Sequence, residues 1–226
     1  MSHREQQRRM RHNLLHYRLY LPADPACHTP RFDNWYYKIR ARCPVTPPRP
    51  TDLEQLVSAE QPDWRREHLA PGEWSPGKRL LACIRDYQRW RERGLWYTPL
   101  RQLAVLRHRF WSAVSGADIP LTCQIGGGLL LPHPNGVVIH PDARIGPNCL
   151  IFQQVTLGTV ESGGTPVVGG HVDIGAGAKL LGRIIVGDHA VIGANAVVVR
   201  DVLSHHIATG IPARSRPSKP EGAGNG

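Results

Sequence analysis

A histidine stands between two prolines in "LLLPHPNGVVIH", residues 129–140, at the end of an aliphatic run. An imidazole titrates near neutral pH, so His133 has the chemistry of a general base: it can take a proton from a hydroxyl and give it up in a later step. Beside so many aliphatic neighbours, a packed structural histidine is the competing reading. Which of the two holds depends on what the surrounding chain builds and where His133 falls within it.

Every sixth residue from Val168 is aliphatic: Val168, Ile174, Leu180, Val186, Ile192 and Val198. A second register runs Ile139, Ile145, Ile151, Leu157, and a third Ile119, Ile125, Leu131, Val137. Four residues after many of these aliphatics the side chain is small, as at Ala143, Cys149, Ala178, Ala190 and Ala196. A helix repeats at 3.6 and a plain strand at 2, so a period of six is neither. It is the mark of a hexapeptide β-helix, in which each six residues make one short strand and turn, and three such units close a triangular coil. The period breaks twice. A two-residue slip lies at "PHPNG", and the eleven steps from Leu157 to Val168 push "GTVESGGTP" out as a loop. Insertions in a solenoid map to loops that carry binding surface, so His133 sits at an interruption of the repeat.

With the segments "ADIP", "IGGGLLLPHPNGVVI", "IFQQVTLGT", "SGG", "DIGAGAKLLGRIIVGDHAVIGANAVV" and "GIPAR", the chain resembles the hexapeptide-repeat acyltransferases, and among them the serine acetyltransferases. The resemblance covers nearly all of residues 117–214. It implies a left-handed parallel β-helix and acetyl-CoA-dependent O-acetyl transfer, with His133 as general base and Asp118, fifteen residues earlier, orienting it. A coil of about 18 residues lets positions so spaced meet on neighbouring rungs. It further implies acetyl-CoA in a groove between adjacent coils of neighbouring subunits. The small residues Gly175, Ala176, Gly177, Ala178 and Ala194 would line that groove together with Thr159 and Lys179. Ile211, Pro212 and Arg214 of "GIPAR" would cap the nucleotide end, with Arg214 or Lys179 meeting phosphate. A homotrimer or dimer of trimers in the cytoplasm, serving cysteine biosynthesis, completes the expectation. The chain also departs from the family pattern. Pro132 replaces the aspartate that normally precedes the base, and the Arg-His pair after "SGG" is missing, with Thr165 and Pro166 in its place. No Arg or His lies between Gly158 and Gly170. That leaves serine and a sugar or other specialised hydroxyl compound as acceptors. His171, just past the loop, fits ordinary repeat sequence better than a substrate contact. A γ-class carbonic anhydrase is set aside because His140, His171 and His189 do not reproduce its zinc-ligand pattern.

The net charge of +10 is uneven: residues 1–117 hold 21 Lys/Arg against 11 Asp/Glu, and residues 118–226 hold seven of each. The two halves read as different modules, a basic and largely helical region over 1–116 and the prism over 117–214. A solvated surface accounts for the basic half better than a nucleic-acid partner does. No apolar run reaches membrane-spanning length, and the basic amino end lacks the pattern of a secretory signal, so no membrane partner is expected. Five scattered cysteines with no C-x-x-C pairing suggest neither a zinc site nor a disulfide framework.

Within the first half, "RCPVTPPRPTD" (42–52) reads as a Pro-rich linker, and 53–58 as the start of a short helix. Residues 80–93 space Leu80, Leu81, Ile84, Tyr87 and Trp90 as a helical stripe stopped by Gly94. A second helix from about Pro99 to Val114 carries Leu103, Leu106, Phe110 and Val114 on one face, expected to be core. Residues 215–226 are expected to be an unstructured tail. A non-catalytic β-helix scaffold is the rival class to the enzyme. Retention of both Asp118 and His133 beside the donor segments separates the two.

Overall fold

The computed structural model describes residues 57–218. The basic amino end, the Pro-rich stretch at 42–52, most of the short helix expected at 53–58 and the end of the tail lie outside these residues. Among the described residues two α-helices, α1 (Pro76–Arg91) and α2 (Thr98–Ser115), precede thirteen short strands.

Most strands are two residues long and pair parallel with the strand one coil away, forming three sheets. On the first face Ile125, Ile145, Val168 and Val186 stack in register. Ile151, Ile174, Ile192 and Ala208 stack on the second, and Ile139, Leu157, Leu180 and Val198 on the third. The coil is the hexapeptide β-helix that the period predicts, with the parallel pairing and left hand that the resemblance implies. Two-residue strands offer few ladder bonds, so burial carries the coil. Each inward aliphatic is almost wholly shielded, worth about 1.5–3 kcal/mol apiece. The small residues Ala143, Cys149, Ala178, Ala190 and Ala196 are all 0% exposed. They lie two residues ahead of the next inward aliphatic, where the chain turns the corner.

One register differs from the sequence reading. Val137 is buried two residues ahead of the inward Ile139. It therefore belongs with the corner residues such as Ala143, not with the inward row, and that row ends at Leu131. The slip is confined to residues 132–136.

The helices close one end of the prism. α1 begins at Pro76, earlier than its stripe predicts, because a proline suits the first helical turn. Leu80, Leu81 and Ile84 are buried in the common core. A Cβ on Gly77 would stand 2.5 Å from the Leu131 carbonyl oxygen, so only glycine lets the helix approach the first coil this closely. The stripe on α2 corrects the sequence reading: Leu103, Leu106, Phe110 and Val114 are 40–61% exposed. Apart from Trp111, which packs against the core, its inward side is small and polar. Ala104 and Ser115 are buried, Ser112 donates to the Ala117 carbonyl, and His108 bonds the Ile119 carbonyl at 2.8 Å. α1 has already filled the apolar floor of the prism, so α2 adds only Trp111 at the margin of the core and otherwise meets the coil through polar bonds.

A strap formed by residues 57–73 runs over one corner. Glu67 Oε1 accepts from the backbone N–H groups of Gly128 (2.8 Å) and Leu129 (3.1 Å) and pairs with Arg85 at 2.9 Å. Arg85 also donates to the carbonyls of Ile125 and Gly126. At the opposite end, the strand Ala213–Pro217 runs antiparallel on His206–Gly210, so regular structure extends three residues into the segment expected to be tail.

Candidate active site

His133 lies on the five-residue turn that absorbs the slip, and it is exposed. Backbone bonds hold the turn on both sides. Gly136 donates to Gly116 (2.7 Å) at the end of α2, and Asn135 accepts from Gln154 (2.9 Å) on the next coil. Asp118 enters the third face beside that turn. Its N–H donates to Val137 at 2.8 Å, and its carbonyl accepts from Ile139 at 3.0 Å. Asp118 and His133 thus occupy neighbouring segments. Among the described residues no hydrogen bond joins their side chains, and both are exposed.

The corner that starts at this turn continues upward through the residues expected at the donor site. Gly177 donates to Gln153 at 2.9 Å, and Asn195 to Ala176 at 2.8 Å, so Gly136, Gln154, Gly177 and Asn195 form one column. Gln154, Gly177 and Asn195 all turn through positive φ. A Cβ on Gly175 would stand 2.6 Å from the Ala194 nitrogen, and coil stacking alone therefore demands glycine there. Gly175, Ala176 and Gly177 are half-buried and Ala194 is exposed, a low wall of small residues. Ala178 is fully buried and faces the core. Lys179 Nζ donates to the Gln154 carbonyl (2.6 Å) and the Thr156 hydroxyl (3.1 Å). Its charge is engaged in tying two rungs together.

The other expected residues stand apart from this column. Thr159 is exposed at the start of the inserted loop, bonded to the Val160 carbonyl. The loop leaves the coil at another corner, where Thr165 donates to the Asp142 carbonyl at 3.1 Å. Ile211 and Pro212, joined by a cis peptide bond, and Arg214 lie on the terminal hairpin. Arg214 lines an open cavity of about 370 Å³ with Arg200, Asp201 and Ser215. Sequence reasoning passed over Asn135 and Gln154. Asn135-Gly136 is a recognisable turn dipeptide, whereas a glutamine in the left-handed region gives no such signal.

His171 takes no part in the loop. It sits at a third corner in a column with Asn148, His189 and His205, its Nδ1 2.9 Å from His189 Nδ1, while the His189 and His205 rings stack at 4.7 Å. Burial, then His189 and Arg66, push its pKa down to about 4. Unfolding restores an ordinary value near 6.5, so between about pH 6.5 and 4 the unfolded chain binds the proton and the folded chain does not. Stability is therefore expected to fall as pH drops through that window. His171→Asn, which tolerates the same backbone, should flatten the slope of denaturation midpoint against pH. Burial also pushes the Cys123 and Cys149 thiols up to about 12, which leaves them unsuited to nucleophilic work. Among the described residues no cluster of three or more His, Cys, Asp or Glu side chains could hold a metal ion.

No protein-family model matches the chain. Over 142 residues it is 38% identical to a serine acetyltransferase of Synechococcus elongatus, covering 62% of this chain and 56% of that one. A soybean serine acetyltransferase complexed with serine superposes with a TM-score of 0.54 at 36% identity, over 62% of this chain and 57% of that one. A serine acetyltransferase complex with CoA superposes with a TM-score of 0.53 at 35% identity, over 63% and 57%. The prism is serine acetyltransferase-like. The chain spans about half the length of the curated relatives it matches. Within this serine acetyltransferase-like coil, the His133 turn and the small-residue corner lie on one edge, with the rung of Gln153 and Gln154 between them.

Proposed function

We propose that the chain is an acetyl-CoA-dependent O-acetyltransferase of the serine acetyltransferase type, with residues 117–214 as the catalytic module. The observation that carries this is the shared corner: the exposed imidazole of His133 stands at the foot of a column whose upper rungs are walled by glycine and alanine. Such a wall admits an extended ligand close to the main chain, and a structure of a serine acetyltransferase complex with CoA superposes on it. In the proposed reaction the acceptor hydroxyl gives its proton to His133 as its oxygen bonds to the thioester carbonyl carbon. The carbon–sulfur bond then breaks, and the departing thiolate takes up the proton, which returns His133 to its neutral form. Asp118 orients the imidazole and supports its transient positive charge, and the pairing of their side chains forms when substrates bind. Thr159, Ile211, Pro212 and Arg214 complete the donor site. We place the protein in the cytoplasm as a homotrimer or dimer of trimers.

The purified full chain should release thiol from acetyl-CoA when serine is added. Silence across serine and a broad panel of hydroxyl acceptors would overturn the enzyme reading in favour of a scaffold. One observation favours a second acceptor: from Thr159 to Gly170 the chain has no cation of any kind. A carboxylate is usually gripped by a bidentate arginine. Thiol release with neutral sugars but not with serine would move the acceptor to that class.

A further inference from the structure

The helical hairpin shows the solvent a surface that the proposed reaction does not use. At its tip Trp96 is 95% and Leu95 87% exposed, and along α2 Leu106 and Phe110 are 61% and 59% exposed. Leu103 and Val114 extend the stripe. The surrounding charge is one-sided. Between Glu92 and Asp118 there is no acidic residue, and Arg93, Arg101, Arg107, His108 and Arg109 fall within that stretch. Arg107 pairs with Asp86. Among the described residues Arg89, Arg91, Arg93, Arg101 and Arg109 are in no ion pair.

We propose that this hairpin tip and the outer face of α2 dock onto an anionic membrane surface. A large apolar face needs a covering, and unpaired arginines around it need negative charge; the headgroup region of an anionic bilayer supplies both. A second copy of the same face would cover the leucines but set arginine against arginine. Trp96 on a protruding tip suits the boundary between headgroups and acyl chains, where indole rings concentrate. The lack of a spanning segment is no obstacle, because an amphipathic helix lies in the plane of the interface. Among the described residues no helix is long and apolar enough to cross a membrane.

The test is co-sedimentation of the full chain with phosphatidylcholine vesicles, with and without phosphatidylglycerol, in the absence of acetyl-CoA. Binding should be at least about tenfold tighter to the phosphatidylglycerol vesicles and weaken as salt is raised. Tryptophan emission should move to the blue on binding. Trp96→Ser with Leu106→Gln should lower the affinity at least about tenfold, and Arg101→Gln with Arg109→Gln should erode the preference for anionic lipid. Trp96, Leu106 and Arg109 are exposed and Arg101 is half-buried, and unaltered melting curves show that the fold is retained. The proposal is overturned by equal binding to both vesicle types, by no binding, or by affinity that survives the Trp96 and Leu106 changes. It is also overturned if Leu106→Gln breaks a lipid-free self-association, which would make a second copy the covering partner. None of these outcomes bears on thiol release, so this proposal and the acetyltransferase reading fail separately.

Discussion

Replacing His133 by alanine is expected to lower turnover by at least a hundredfold, since a positioned general base contributes roughly 10²–10⁴. The loss should fall on kcat, because in the proposed reaction the imidazole acts on the proton and not on the grip of either substrate. The fold should be unaffected. The side chain is exposed, and its turn is held by the backbones of Gly136 and Asn135. Asp118→Asn should cost less and change the pH profile, as expected for a residue that works through the imidazole. Thiol release measured at saturating acetyl-CoA checks both variants, and wild-type-like turnover in His133→Ala would remove the residue from the mechanism.

Glu67→Ala should be the most destabilising single change outside the inward stacks, by about 3–5 kcal/mol, the usual cost of breaking a buried ion pair from one side. The Glu67 side chain is 10% exposed and that of Arg85 17%. Its removal takes from the Arg85 guanidinium its only paired anion among the described residues, though the Ile125 and Gly126 carbonyls remain, and leaves the N–H groups of Gly128 and Leu129 without their acceptor. Glu67→Gln keeps an acceptor oxygen and should lose less. Guanidinium unfolding of the two variants checks the order, and equal midpoints would mean that the strap holds without this pair.

The prism was readable because its rule is local. One inward residue in six fixes face, corner and rung together, and the two breaks in that count marked the His133 turn and the inserted loop. Val137 misled for the same reason. It is aliphatic at the right count, but a two-residue slip just before it moved it to a corner. The stripe on α2 shows a different limit. Periodicity reveals that a helix has an apolar side, not that the side faces inward, and here α1 had already covered the floor of the coil. The role of Glu67 had no sequence signal, since its partners Gly128, Leu129 and Arg85 are remote in sequence and become neighbours only after the coil closes. The shared edge of His133 and Gly177 was likewise hidden, because adjacency between rungs depends on loop lengths elsewhere in the coil.

The antiparallel segment from Ala213 to Pro217 has a consequence for assembly. A solenoid with a bare terminal rung is a template on which another chain can continue the winding, and repetition of that event yields a fibre. Here the last rung meets a strand of opposite polarity, while α1 plugs the first. On that face the reversed polarity interrupts the parallel register that another chain would have to continue, and at the other end the helix stands in the way.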